Sequence, residues 1–407
     1  MSFRSVKRYA RATVGGAAVL SVVALAACDY GPDGDQDVIT LAGSDTTQDV
    51  SADIVADYNL DTTYNNNPDT PADDRDILRN VLSVQTAPIA VPADEHCGAI
   101  TYHTPPGGGE IVAPNGSGAG RNALRASVLA DDGCIDIARS SAGPRAINPS
   151  TGDLATFEYY AFALDAVGWS SASTLAPANL TLAQLRGIYN CTFTNWNQVG
   201  GSAGAIQRYW PQSASGTMQF FRDAVLGFDP VPISTGSCPA PVITQENTGE
   251  LIDTNNHEQT ALVPYSGANW VAQARGAAPD QRHGQLIKNL DGQNIVRSDD
   301  GQFELNAEDT EFPAAPVRES NVAMVDPTPD YQGVRFVFNV IDSTHVSYDS
   351  AKRYVGFDNV DAGPTSPLCS GTLGTTDSIA SLGFGRLTGA IGPNNLGGSL
   401  CRLYVPV

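Results

Sequence analysis

Basic residues are scarce in this 407-residue chain: Lys and Arg number 23 against 44 Asp and Glu, for a formal charge of −21. That balance argues against nucleic acid as a partner, because phosphate backbones are held by basic surfaces. It does not exclude a small anion, which local dipoles can hold in a closed pocket. The five His are scattered and no C-x-x-C occurs, so no metal site is expected. G-x-S-x-G is missing too, since Ser117 has Asn115 where that motif needs Gly. Without that motif or a His/Asp cluster, no catalytic residue and no cofactor is assigned, and the chain is not expected to be an enzyme. No internal repeat of fixed period is present. What remains is ordinary globular composition, 42% hydrophobic and 16% charged, with 40 Gly and 26 Pro implying many turns. The length allows two domains with separate cores.

Residues 1–27 read as an export signal, a basic start followed by an apolar run from Val14 to Ala27. The run is too short, and too rich in Ala and Gly, for a transmembrane helix. It ends Leu25-Ala26-Ala27-Cys28, which resembles the lipobox of bacterial lipoproteins. That resemblance implies cleavage before Cys28, acylation of its thiol and a single membrane anchor outside the cell. Without the leader's four cations, 19 basic residues face 44 acidic ones. Residues 28–37 form a Gly/Asp tether. Asp33, Asp35 and Asp37 alternate like the start of a calcium loop, but Ser44 stands where the closing Glu belongs.

The stretch Gln212–Gly227, QSASGTMQFFRDAVLG, sets a pattern. Small hydroxyl-bearing residues open a helix whose apolar positions Met218, Phe221 and Val225 recur at helical spacing, with Gly227 as C-cap. Unpaired N–H groups in such a first turn, with Ser and Thr hydroxyls beside them, favour an anion. Similar loops precede it. Val38–Ala42 reads as a strand, Gly43-Ser-Asp-Thr-Thr47 as its loop, and Val50, Ile54 and Tyr58 as a helix face. Asn115-Gly-Ser-Gly-Ala-Gly120 opens a second helix, and Ile135–Ala138 is a strand leading into Arg139-Ser-Ser-Ala-Gly-Pro-Arg145. Glu158–Trp169 reads as a long extended crossing segment, Leu180–Asn190 as a helix capped by Thr181, and Ala261–Trp270 as a second crossing. Residues 299–332 read as an acidic surface insertion. Trp196, Trp210, Tyr159, Tyr160 and Phe162 are expected in the core.

With Cys28 set aside for lipid, Cys97, Cys134, Cys191, Cys238, Cys369 and Cys401 remain, and an even count in an exported chain points to three disulfides. Of fifteen possible pairings, the neighbouring one (97–134, 191–238, 369–401) is the expectation.

LTLAQLRGIYNCTFTNWNQVGG, residues 180–201, is similar to the L-T-x-x-Q-L-x-x-I-(F/Y)-x-G-x-x-x-N-W-x-x-V-G-G stretch of the periplasmic phosphate-binding receptors of ABC transporters, with Cys191 near the family Gly. Ser215-Gly216-Thr217 followed by Phe220 resembles that family's anion loop, and the three upstream loops resemble its others, especially in a high-GC Gram-positive branch. The resemblance runs from about Ile39 to Val355. It implies an α/β, two-lobed type II periplasmic-binding-protein fold, a clamshell with two crossing hinge segments. Lobe 1 would take 38–162 and 263–407, with lobe 2 at 163–262. It also implies a phosphate site of Ser44, Asp45, Thr46, Gly116, Ser117, Gly118, Ser140, Ser141, Ser215, Gly216 and Thr217.

Two departures stand out. The best-known receptors place an Asp in the third loop to accept the proton of phosphate and so reject sulfate. Here that position is Ser141, with Asp45 a candidate replacement. The family's clamping Arg has no direct counterpart at Pro211, which leaves Arg208, Arg139 and Arg145 as candidates. The function implied is a lipid-anchored extracytoplasmic receptor, a monomer, passing inorganic phosphate to an ABC permease. The alternatives are a surface lipoprotein of the same fold with altered or lost anion binding and, behind it, a secreted phosphate-ester hydrolase.

Overall fold

A computed structural model describes residues 38–60, 76–83, 88–94, 96–103, 111–293, 295–299, 302–305, 333–355, 368, 375–385 and 402–404. The leader and tether with Cys28, the proposed Cys369–Cys401 pair, and nearly all of 299–332 lie outside the described residues.

Eight strands give the main path of one mixed sheet: β1 (Val38–Gly43), β2 (Ile77–Asn80), β3 (Ile137–Ser140), β4 (Phe157–Ser171), β5 (Gln207–Pro211), β6 (Val242–Thr244), β7 (Ala261–Ser266) and β8 (Val334–Asp342). Their order across the sheet is β6-β5-β7-β4-β8-β3-β1-β2. β1, β2 and β3 run parallel, as do β5, β6 and β7, while β8 is antiparallel to β3 and β4. The expected third strand starts two residues later than its apolar pattern suggested, at Ile137.

β4 joins the two groups of parallel strands. Its first ten residues, Phe157–Ala166, pair with β8, and Val167–Ser170 then pair with β7. This is the long extended segment expected from EYYAFALDAVGW. The second expected crossing is a strand only to Ser266, and from Gly267 the chain turns helical (α5, Gly267–Arg275). Ser266 causes the switch: its Oγ caps the helix by accepting from Asn269 N.

Alternation along the strands feeds two cores on opposite faces of the sheet's β1–β3 side. Ile39, Leu41, Ile137, Phe162 and Val337 pack with Val50, Ile54 and Tyr58 of α1 (Gln48–Leu60). Ala42, Ala138, Tyr159, Ala161 and Phe338 pack with Leu124 of α2 (Ser117–Ala130). Covered on both faces, β1, β3 and β8 are buried throughout. A third core holds Trp169, Trp196, Trp210 and Phe221 with Leu185 and Ile188 of α3 (Leu182–Tyr189), which Thr181 caps in a capping box with Gln184. The loop residues Cys97 and Cys134 are bonded, as are Cys191 and Cys238.

Candidate functional site

In an open sheet, ligand crevices form beyond the C-terminal ends of parallel strands, because the chain leaves there in loops that lead to helix starts. Four such ends matter here. Residues 44–47 follow β1, 141–144 follow β3, 212–215 follow β5, and 245–248 follow β6. A fifth segment, ending at Gly116 before α2, is fastened to the first by the Gly116 N–H donating to Gly43 O at 3.0 Å. The loops of the two strand groups meet face to face. Gly118 N donates to Ala214 O at 2.9 Å, Asn115 Nδ2 to Gln245 Oε1 at 3.0 Å, and Asn247 Nδ2 to Asp45 Oδ2 at 3.1 Å.

At the centre lies a ring of buried hydroxyls. Ser44 Oγ donates to Ser141 Oγ at 3.0 Å, Ser141 N donates to Ser117 Oγ at 2.9 Å, and Thr46 Oγ1 stands 3.3 Å from Thr217 Oγ1. Ser215 caps the helix α4 (Gly216–Phe220), which continues as a π turn from Phe221 to Leu226 and ends on left-handed Gly227. The expected helix and C-cap are there; the wide π turn is not something apolar spacing reveals. Gly216 allows the ring to close. A Cβ on it would stand 2.2 Å from Ser117 Oγ and 2.3 Å from Ser141 Oγ.

Three charged side chains reach this ring. Arg335, on β8, faces its register partner Asp165 on β4 and donates to Asp165 Oδ2 from both Nε (3.0 Å) and Nη2 (2.8 Å). Asp165 Oδ1 accepts in turn from Ser266 Oγ and Ala268 N, so the guanidinium is held rigidly. Its Nη2 extends to Thr217 Oγ1 at 2.9 Å and Thr46 Oγ1 at 3.3 Å, while Nη1 has no hydrogen-bond partner among the described residues. Glu246 approaches the same two threonines from the loop after β6. Its Oε2 accepts from Ser215 Oγ (2.7 Å), Thr217 N (3.4 Å) and Thr46 Oγ1 (3.5 Å), and Oε1 is buried with no partner among the described residues.

Asp45 is the third. Burial, followed by the nearby Glu246 carboxylate, raises its pKa to about 8. Asp45 therefore takes up a proton on folding across the interval between an ordinary Asp and that value. Its stabilising contribution is full below about pH 4, declines as pH rises, and is gone above about pH 8. Asp45→Asn is expected to flatten that decline, measured as the urea midpoint of ligand-free protein against pH. An unchanged profile in the variant would assign the proton uptake to another group.

The structure brings Ser44, Asp45, Thr46, Ser117, Ser141, Ser215, Gly216 and Thr217 together, with Gly116 and Gly118 at the loop contact. Other expected residues point elsewhere. Arg208 spends its guanidinium on the carbonyls of Tyr189, Ile233 and Pro239 in the other half of the fold. Arg139 donates to Asn80 Oδ1 and Ser83 Oγ beside β2, because β3 aims its side chain past the ring. Arg145 is paired with Asp153, and the Ser140 hydroxyl closes its own turn on Ala142. Sequence reasoning missed Arg335, Asp165 and Glu246. The first two carried a signal: each is a lone charge in an apolar strand, VRFVFNVI and AFALDAVGW, and opposite lone charges on buried strands pair. Glu246 follows the short strand PVIT in the same strand-and-polar-loop pattern as the recognised loops.

One constellation resembles a hydrolytic triad. Ser127 Oγ is 3.1 Å from His345 Nε2, and His345 Nδ1 is 3.6 Å from Asp136 Oδ1. The hydroxyl, however, donates to Asp132 Oδ1 at 2.6 Å and accepts from Cys134 N and Ile135 N. It is a buried brace for the turn after α2, with its proton directed away from the imidazole.

Residues 33–269 match the model of a family described as the PBP superfamily domain. No curated protein matches the chain. Among solved structures, the chain is similar to an ABC-type phosphate transport receptor from Vibrio cholerae, at 17% identity and TM-score 0.44, over 86% of this chain and 100% of that one. It is similar to a phosphate-binding protein from Stenotrophomonas maltophilia, at 14% identity and TM-score 0.44, over 86% and 91%. A human phosphate-binding apolipoprotein is similar at 12% identity and TM-score 0.47, over 85% and 90%.

Proposed function

The chain belongs to the PBP superfamily and has its mixed α/β, type II fold, and from that premise we propose that it is a receptor for inorganic phosphate, bound within the hydroxyl ring. The observation that supports this is a pair of unpartnered buried atoms on the two side chains that meet at Thr46 and Thr217: Nη1 of Arg335 and Oε1 of Glu246. A ligand that satisfies both must accept from one and donate to the other, because buried polar groups left unpaired are costly. A protonated oxyanion does both. Ser44, Thr46, Ser117, Ser141, Ser215 and Thr217 supply neutral donors, Arg335 is the clamp, and Glu246 accepts the proton of phosphate. Asp45, already protonated near neutrality, is a donor in this reading and not the acceptor.

The two groups of parallel strands with their cores are the two lobes, and β4 with β8 forms the crossing. Cys28 carries the lipid, the receptor works outside the cell as a monomer, and an ABC permease receives the phosphate. Among the described residues no helix is long and apolar enough to cross a membrane. A second reading, a lipoprotein of this fold with lost anion binding, draws on one observation: Glu246 Oε2 already accepts three of the ring's donors, as a ligand oxygen would.

Calorimetry on the full chain in detergent, stripped of ligand by unfolding and refolding, separates the two. The receptor reading expects one phosphate per chain and rejection of sulfate, which has no proton to offer Glu246. Glu246→Gln, whose amide can donate, should narrow that preference by about tenfold or more, a charge-assisted hydrogen bond being worth about 1.5–3 kcal/mol. No heat from either anion would establish the second reading.

A further inference from the structure

Outside the Gly118–Ala214 contact lies a cavity of about 370 Å³ that borders the hydroxyl ring at Ser215. One wall comes from α2 and the turn at 144–146, the other from residues 213–223. Three guanidinium groups line it, those of Arg121, Arg145 and Arg222, against the single carboxylate of Asp223. A locally positive cavity is unexpected in a chain of net charge −21.

The donors are not all spent. Arg121 is fully buried, and all its hydrogen bonds among the described residues go to neutral oxygens: Ser117 O, Gly143 O, Tyr159 OH and Gln219 Oε1. Four of its five N–H groups are used, which leaves one on Nη2. Across the cavity, Arg222 binds Asp223 through Nε and Nη2, and its Nη1 has no hydrogen bond among the described residues. Arg145 is paired with Asp153, which lies outside the lining, and so adds little to the charge of the cavity. Arg121 and Arg222 thus line opposite walls of a space in the size range of small-molecule pockets, about 300–1,000 Å³.

We propose that this cavity is a second anion site, taking a polyanion of the size of inorganic diphosphate that bridges Arg121 and Arg222. Two charged groups suit two separated guanidiniums better than one does, and planar forks match phosphoryl oxygens. The site is half-exposed and open to screening, unlike the inner ring.

The test is titration of inorganic diphosphate into the full chain already saturated with inorganic phosphate, at low and high salt. One diphosphate per chain is expected, weakening as salt rises. Arg222→Glu should weaken it by about tenfold or more, and Arg222→Gln by less, since reversing a charge at contact range changes the field twice as much as removing it. Asp223→Asn should tighten it about threefold, a gain that a damaged fold cannot imitate. Absence of diphosphate heat, or equal affinity in Arg222→Glu, would overturn the proposal. So would simple competition with phosphate, which would place diphosphate in the ring. Phosphate titrations of the same samples report separately on the receptor reading, so failure of one is not mistaken for failure of the other.

Discussion

Replacing Arg335 with Met is expected to weaken phosphate binding about 10- to 150-fold and to destabilise the fold by about 3–5 kcal/mol. The binding loss is that of a charge-assisted hydrogen bond from Nη1, together with disorder in Thr46 and Thr217, which Nη2 now orients. The stability loss comes from Asp165, whose carboxylate would remain buried with two neutral donors and no cation. The two effects separate in the double variant Arg335→Met/Asp165→Asn. Asparagine keeps an acceptor for Ser266 Oγ and Ala268 N but carries no charge, so most of the stability should return while binding stays lost. Denaturant titration and calorimetry on both variants check this. Full binding in the single variant would remove Arg335 from the site and reopen the choice of clamp.

Gly216→Ala is expected to act on closure and spare the fold. Its methyl would stand 2.2 Å from Ser117 Oγ and 2.3 Å from Ser141 Oγ, both on the opposite side of the cleft. Overpacking of this kind costs about 1–3 kcal/mol, relieved when the facing loops draw apart. Taken from closure alone, that lowers phosphate affinity by about 5- to 150-fold. The denaturation midpoint without phosphate should shift by less than about 1 kcal/mol, because the separated form removes the clash. An unchanged affinity would mean that the two hydroxyls yield easily and that Gly216 serves only its helix. A large loss of stability would mean that the loop contact is part of the core.

The parts readable from sequence were local. β1, β4, α3 and the loop opening α4 announced themselves through apolar spacing, capping residues and small polar turns, all set by neighbours in the chain. Thr181 and Gln184 form their capping box within four residues, so nothing distant had to be known. Arg335 and Asp165 are 170 positions apart and become one feature only through the register of β4 and β8. Arg208 and Arg139 were plausible clamps by proximity along the chain, but strand direction aims each away from the ring. Glu246 was missed for a different reason: an acidic side chain is the last one expected among anion donors until an unpaired oxygen and a protonated ligand are considered together.

The place of β8 bears on how such a chain is made. β3 and β4 do not pair with each other; they are joined through β8, which ends at Asp342. During synthesis, therefore, most of the polypeptide must emerge before the first half of the sheet can be completed. Until then β3 keeps a bare edge, open to mispairing and to whatever holdase guards nascent chains. Pairing across so many residues makes folding slow. Slowness would suit the export proposed for this chain, because threading through a narrow translocation channel requires that the native state arrive late.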